Sequence, residues 1–303
     1  MPRAARIKND SGIYHIMVRS ISDVPLFRDN KDKEKYIQLV KKYKLTFLFN
    51  VYAYCLMTTH AHMIIDTRGA DISKIMKSIN QCYSAYFNKK YNRHGHVFQD
   101  RFKSKLVDDE NYALTLSAYI HNNCRDISKY KKCPEKYKYS TLGIYLGLTE
   151  DKFKILDNGY ILGHFSENID IARKSYLEFM NRVSESSQKI DVEFKEEGSD
   201  CRNERRILVR DFSYEEIVKF ISKYINTCSN IRAKFTHKNT KLKALCIFVI
   251  RVLCNLSLTD ICHELGNITI SNICRLYNIG YSLITEEKEY ENLIDDVIVG
   301  LAA

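Results

Sequence analysis

Residues 51–66 read VYAYCLMTTHAHMIID, two apolar runs divided by Thr58 and Thr59. Runs rich in aromatic and β-branched residues predict strands. The stretch IYHIMVR at 13–19 predicts an earlier strand, and residues 96–107 predict a later one. Helical spacing of apolar residues predicts helices over 29–44, 71–91 and 109–125. This mixed order predicts an α+β fold, an antiparallel sheet with helices on one face.

The second of these runs carries two histidines, His60 and His62, separated by one residue. Because side chains alternate along a strand, both imidazoles should point to the same face. Two imidazoles two strand positions apart can share one divalent ion. The alternative is a pair of half-buried, hydrogen-bonded histidines, since short motifs of this kind often occur without a metal.

The helix predicted over 109–125 carries Tyr119 and Asn123, four positions apart and therefore on one face. A tyrosine offers a phenolic nucleophile, and an asparagine offers a neutral oxygen ligand. Together with His60 and His62 they would provide a nucleophile and a charge-neutralising metal site for phosphoryl transfer. The alternative is a structural tyrosine, because Tyr112, Leu116 and Tyr119 also form a helical stripe.

The composition favours a nucleic-acid partner and excludes several other classes. The 303 residues carry a net charge of +10, which favours a polyanion. None of the ten cysteines forms a Cys-x-x-Cys pair, and neither a P-loop nor a Gly-x-Gly-x-x-Gly motif is present. The most apolar stretch, 242–258, is interrupted by charge. We expect a cytoplasmic protein without a membrane span.

Four ordered blocks of sequence resemble the REP-associated tyrosine transposases, a family of the HUH-type single-strand DNA transposases. The resemblance covers residues 1 to about 127, with a weaker similarity to about 180. The blocks are MPRAARIKNDSGIYHIMVRS, CLMTTHAHMII, SAYFNKKYNRHGHVFQDRFKS and LSAYIHNNCR.

The resemblance implies a ferredoxin-like core whose central strand carries His60 and His62 as metal ligands. It implies that Tyr119 is the nucleophile, leaving a 5′-phosphotyrosine and a free 3′-OH, and that Asn123 is the third ligand. The implied metal is Mg²⁺ or Mn²⁺. The chain departs from the family at Thr58-Thr59, where Pro-Asn is usual, and at Cys124, where proline is usual.

Basic residues near these blocks are predicted to contact DNA phosphates. The predicted contacts are Arg3, Arg6, Arg101, Lys103 and Lys105. Phe98 and Phe102 lie among them, and they are either base-stacking platforms or core residues.

The C-terminal part is predicted to be an all-α helix-turn-helix domain. Its sequence LTDICHELGNITISNICRL at 258–276 starts with a capping box at Ser257 and predicts two short helices around Gly266-Asn267. If it binds duplex DNA, four residues of the second helix should face the groove: Thr269, Ser271, Asn272 and Arg275. The alternative is a plain helical hairpin.

These patterns predict three parts: a catalytic domain over 1–145, an extension helix and linker over 146–203, and a DNA-binding domain over 204–303. The predicted function is cleavage of single-stranded or hairpin DNA during transposition. The alternatives are a catalytically silent DNA-binding regulator and an RNA-binding protein. The sequence does not decide between a monomer and a homodimer.

Overall fold

The computed structural model describes residues 12–21, 24–185, 212–227, 240–254, 256–266 and 268–302. The chain divides into two compact units, Met1–Ile207 and Leu208–Ala303. The three-part division of the sequence stays a prediction, because most of the predicted linker lies outside the described residues. Arg3 and Arg6 also lie outside them.

The N-terminal unit contains a four-stranded antiparallel sheet with the strand order β2-β3-β1-β4. Two βαβ-type connections, each with one helix, build it. This order and connectivity are those of a ferredoxin-like fold, so the predicted fold class is confirmed. The elements are β1 (Ile13–Arg19), α1 (Asn30–Phe47), β2 (Asn50–Leu56), β3 (His60–Asp66), α2 (Ile72–Lys90) and β4 (Lys103–Val107).

Local sequence explains where the two helices of the core begin. Asp29 caps α1 and forms a capping box with Asp32, and Asp71 accepts a hydrogen bond from the Ser73 amide at the start of α2. These side chains satisfy amide groups that have no partner within the first helical turn. The helix predictions for 29–44 and 71–91 were therefore close to the observed bounds.

The fourth strand is shorter than the sequence predicted. Residues 96–102 do not belong to β4, and within them only Phe98 forms an isolated bridge, to Ser20. The apolar residues that suggested a longer strand, including Phe102, are instead buried against the core from a loop. A loop that buries its side chains, without pairing its backbone to a neighbouring strand, shows the same apolar pattern in the sequence as a strand does.

Both faces of the sheet are covered. On one face, Ile16, Met63 and Ile65 are buried in the core, to which α1 and α2 also contribute. The opposite face carries His60 and His62, and a third helix, α3 (Glu110–Asn122), contacts β2, β3 and β4. The side chain of Tyr119 in α3 meets the His62 ring, so α3 lies on the histidine face.

A buried polar network holds α3 in place. His121 is fully buried, and its two ring nitrogens lie 2.6 Å from the Tyr176 hydroxyl and 2.7 Å from the Thr141 hydroxyl. The Tyr176 hydroxyl also lies 3.1 Å from the Ser117 hydroxyl. The unit also contains two short helices, α4 (Leu142–Tyr145) and α5 (Gly159–Gly163), and a longer one, α6 (Ile169–Glu185), which packs on α3.

One side of α6 faces the core. Ala172, Tyr176 and Met180 are buried, whereas Ile169, the first residue of the helix, is 47% exposed.

Every element described in the C-terminal unit is helical. The helices are α7 (Tyr214–Tyr224), α8 (Thr240–Leu253), α9 (Leu258–Leu265), α10 (Ile270–Glu286) and α11 (Leu293–Ala302). Helix α8 is almost entirely buried and contacts α7, α9 and α10. In the part of the chain that the structure describes, no helix has the length and apolar character needed to cross a membrane.

The region predicted as a helix-turn-helix contains two helices, and the second is longer than predicted. Ser257 forms the expected capping box at the start of α9, and Thr269 caps α10. Helix α10 continues to Glu286 because its buried side, which includes Leu276, Gly280 and Ile284, extends beyond the predicted end.

Candidate active site

The two histidines of β3 lie side by side on one face of the sheet. Their ring centroids are 5.1 Å apart and their planes are nearly perpendicular. His62 is 3% exposed and His60 is half-buried. Burial lowers the pKa of both rings, and His60 also faces the positive charge of Arg19. Both imidazoles are therefore neutral at pH 7, with lone pairs available to a metal.

A third histidine, His15 in β1, was not singled out in the sequence. Its Nε2 lies 2.9 Å from Nδ1 of His62, and the two rings stack with centroids 5.2 Å apart. Burial, with a smaller effect of Lys105, lowers the pKa of His15 to about 3. The only signal in the sequence was the alternation of the polar His15 with the apolar Ile16 along β1. Whether His15 lies on the same face of the sheet as His62 depends on the register of β1 against β3.

Tyr119 reaches the same place from α3. Its ring centroid is 5.8 Å from that of His62, edge to face. Burial raises the pKa of the phenol, whereas the Asn123 side chain lowers it in part. The half-buried phenol therefore carries its proton at neutral pH, and nucleophilic attack requires that this proton be removed.

Asn123 connects the tyrosine to the histidines. It follows α3 as the first residue of a 3-10 turn, Asn123–Asp126, and is almost fully buried. Its Nδ2 donates to the Tyr119 carbonyl over 2.9 Å. Its side chain also influences the pKa of the His60 ring and of the Tyr119 phenol. The structure thus brings together all four residues that the sequence proposed for the site: His60, His62, Tyr119 and Asn123.

The donor set fits a small divalent cation. Nδ1 of His62 bonds His15, and Nδ1 of His60 lies 3.1 Å from the Thr59 hydroxyl. Each ring thereby keeps Nε2 for a ligand, as metal-binding histidines commonly do. The amide oxygen of Asn123 would be the third donor. Within the described ranges, no group of three or more His, Cys, Asp or Glu side chains has an arrangement suited to a metal.

The Thr58-Thr59 departure from the family forms the tip of the β2–β3 hairpin. The Thr58 carbonyl accepts from the Phe27 amide, and the Thr59 carbonyl accepts from the Ser20 amide. Both threonines therefore hold the tip to neighbouring backbone, and the Thr59 hydroxyl orients His60. The histidine pair therefore follows a hairpin tip whose two threonines are tied to the rest of the unit.

Of the predicted DNA contacts in this unit, the two in β4 flank the histidines. In the strand register Lys105 is opposite His15 and Lys103 is opposite Met17, on the histidine face. Arg19, opposite His60 on the same face, is an exposed cation that the sequence reasoning missed. Arg101 is exposed in the preceding loop.

The four residues proposed for the C-terminal unit lie at the start of α10. Thr269, Ser271 and Arg275 are exposed, and Asn272 is half-buried. The Arg275 guanidinium donates to the Asn272 side chain over 3.0 Å. Their role in binding DNA stays a prediction.

Residues 9–123 match the family model described as "Transposase IS200 like". Among solved structures, the chain is similar to one described as "Structure of the REP associates tyrosine transposase bound to a REP hairpin". The identity is 17%, the TM-score is 0.43, and the alignment covers 50% of this chain and 89% of that one. No curated protein matches the chain. The matched residues 9–123 include the two histidines, the tyrosine and the asparagine of the site, so the similarity to IS200-like transposases covers the whole candidate site.

Proposed function

We propose that the N-terminal unit cuts and transfers single-stranded DNA through a covalent bond to Tyr119. The observation that carries the proposal is the edge-to-face contact of the Tyr119 ring with the His62 ring, with centroids 5.8 Å apart, beside the His60 ring at 5.1 Å from His62. A nucleophile next to a neutral imidazole pair, on a surface rich in cations, is suited to phosphodiester chemistry.

The proposed step is a single displacement at phosphorus. The Tyr119 oxygen forms a bond to the phosphorus of the scissile phosphodiester, and the bond from phosphorus to the 3′ oxygen breaks. The leaving oxygen takes a proton and becomes a 3′-OH, while the phenolic proton passes to solvent. The phosphate stays on the 5′ side as a phosphotyrosine, and attack by a 3′-OH reverses the step and joins strands.

His60, His62 and Asn123 would hold Mg²⁺ or Mn²⁺ beside this step. A bound divalent ion supplies charge neutralisation of the phosphate and favours the ionised phenol. His15 keeps the His62 ring oriented, and the lone pairs of both histidines are available at neutral pH because their pKa values are lowered. Lys103, Lys105 and Arg101 would bind flanking phosphates.

We further propose that the substrate is a hairpin or single strand flanking a mobile element. The C-terminal unit would bind the neighbouring duplex through the start of α10, where Thr269, Ser271 and Arg275 are exposed. We place the activity in a bacterial cytoplasm, where DNA is accessible and the free cysteines stay reduced.

The test is formation of a covalent protein–DNA adduct. Labelled hairpins with single-stranded flanks are incubated with the full chain and Mg²⁺ or Mn²⁺, and adducts are separated on a denaturing gel. We expect an adduct with the wild type, none with Tyr119→Phe and a strong loss with His62→Ala. The matched control is Tyr112→Phe on the same helix, because the Tyr112 hydroxyl is buried without a partner among the described residues.

An adduct that survives in Tyr119→Phe would overturn the assignment of the nucleophile. If no hairpin or single strand gives an adduct while duplex DNA is bound tightly, the chain is a DNA-binding regulator instead.

A further inference from the structure

A short segment after the proposed nucleophile helix displays a concentration of positive charge. Residues 128–139 read SKYKKCPEKYKY and contain five lysines and one acid. We call these residues the lysine segment. All five lysines are exposed: Lys129, Lys131, Lys132, Lys136 and Lys138. None of these lysines belongs to the sequence motifs described above, and none has a role in the proposed chemistry.

The backbone of the lysine segment is fixed by its tyrosines. Tyr137 and Tyr139 are buried, and the Tyr137 hydroxyl donates to the Leu56 carbonyl over 2.6 Å. The Tyr139 hydroxyl donates to Glu34 over 3.3 Å. At residues 136–139 exposed lysines therefore alternate with buried tyrosines, and the Tyr130 ring, next to Lys129 and Lys131, packs against the Tyr137 ring with centroids 4.9 Å apart. Ordered cations lose less conformational freedom on binding than cations on a mobile loop.

The lysine segment lies against the proposed active site. It begins two residues after the turn that holds Asn123, and the thiol of Cys124 in that turn lies 3.4 Å from the Pro134 carbonyl. At its other end Tyr137 contacts Leu56, the last residue of β2, which precedes the hairpin tip next to His60. The segment thus joins the elements that carry Asn123 and His60.

The charges here are crowded rather than compensated. The Lys33 ammonium lies over the rings of Tyr137 and Tyr139, at 5.3 and 4.9 Å, and burial together with repulsion from Lys138 lowers its pKa. Among described residues, none of the ion pairs involves a lysine of the segment. Isolated lysines on a solvated face are usually interspersed with acids, and here one acid accompanies five lysines.

We propose that the lysine segment binds the phosphate backbone of the DNA strand next to the cleavage site. This inference rests on the proposed function, because DNA enters only through that function. The polyanion that fits is DNA with several successive phosphates, since five cations within ten residues match a repeating charge better than one small anion. Bound there, the strand would be positioned between the segment and Tyr119.

The test compares two triple variants of equal charge in the full-length protein. The first is Lys131→Gln, Lys132→Gln and Lys136→Gln, chosen because Lys129 and Lys138 also stack on tyrosine rings. The control is Lys41→Gln, Lys152→Gln and Lys154→Gln, all exposed. Lys152 and Lys154 precede Leu156, which bridges to Val51 at the opposite end of β2, and Lys41 lies in the last two turns of α1.

Affinity is measured against salt concentration, in a Tyr119→Phe background so that no strand is cut. The probes are a hairpin with an unpaired tail, the same hairpin without the tail, and RNA of the same sequence. Each single-strand phosphate contact contributes about 0.7 to the slope of log affinity against log salt. On tailed DNA, we expect the magnitude of this slope to be smaller by about 2 for the lysine-segment variant than for the wild type. The control variant should keep the wild-type slope.

If the slope of the lysine-segment variant falls only on the tailed probe, the segment binds the unpaired strand. If the slope falls equally on both DNA probes, the segment binds the hairpin stem. Equal slopes for the two triple variants on every DNA probe overturn the proposal, as does a loss seen with RNA only. A failure of the proposed function gives a different result, because wild-type protein would then form no adduct whatever the slope of the lysine variant.

Discussion

His15 Nε2 and His62 Nδ1 lie 2.9 Å apart, in a buried imidazole pair that links the neighbouring central strands β1 and β3. Burial lowers the pKa of both rings, so one ring donates its N–H and the other accepts. In the tautomer in which His62 donates from Nδ1, its Nε2 carries the lone pair that faces away from β1. His15 thereby selects the nitrogen of His62 that is offered to a ligand.

We predict that His15→Leu weakens Mn²⁺ binding by about 10–100-fold, the usual effect of losing a partner that orients a metal ligand. His15→Gln keeps an acceptor and should retain part of the affinity. Isothermal titration calorimetry on the DNA-free protein measures this directly. Wild-type affinity in a folded His15→Leu variant, judged by circular dichroism, would contradict the role given to His15.

Tyr176→Phe should destabilise the N-terminal unit by about 1–3 kcal/mol, although it removes one oxygen only. The loss leaves a ring nitrogen of His121 and the Ser117 hydroxyl without their shared partner inside the core. Urea denaturation followed by circular dichroism gives the free energy of unfolding. Tyr112→Phe is the control and should change it little, because its buried hydroxyl has no partner among the described residues. Equal effects of the two substitutions would rule out the network.

Acid should weaken the fold through His121, whose pKa burial lowers from 6.5 to about 3. Because the unfolded chain binds this proton first, the free energy of unfolding falls as pH drops below about 6.5 and is flat above 7. The expected contribution of His121 between pH 7.5 and 5.5 is a loss of about 1.4 kcal/mol. Denaturation of His121→Gln at both values should show a smaller loss than wild type; an unchanged difference would exclude His121 as the cause.

Gly280→Ala should disrupt the C-terminal unit. A Cβ at this position would collide with the Ala244 carbonyl and lie 2.8 Å from Cβ of Phe248, because α10 and α8 pack backbone to backbone there. Overpacking of this kind costs about 1–3 kcal/mol beyond the gain in helix propensity. Thermal unfolding measures the loss. Gly163→Ala in α5, with nothing within 4 Å of its Cβ, is the control and should be neutral.

The sequence by itself determined the type of most elements and singled out the four candidate site residues. Alternation placed His60 and His62 on one face, and helical spacing aligned Tyr119 with Asn123, because these relations depend on local geometry alone. The capping box at Ser257 marked a helix start for the same reason.

Only the tertiary structure decided which elements meet. The pairing of His15 with His62 depends on the register of β1 against β3, and the position of Tyr119 over His62 depends on how α3 packs on the sheet. The true length of β4 and α10 likewise followed from long-range burial. Contacts between residues tens of positions apart are set by packing of whole surfaces, and no local pattern in the sequence records them.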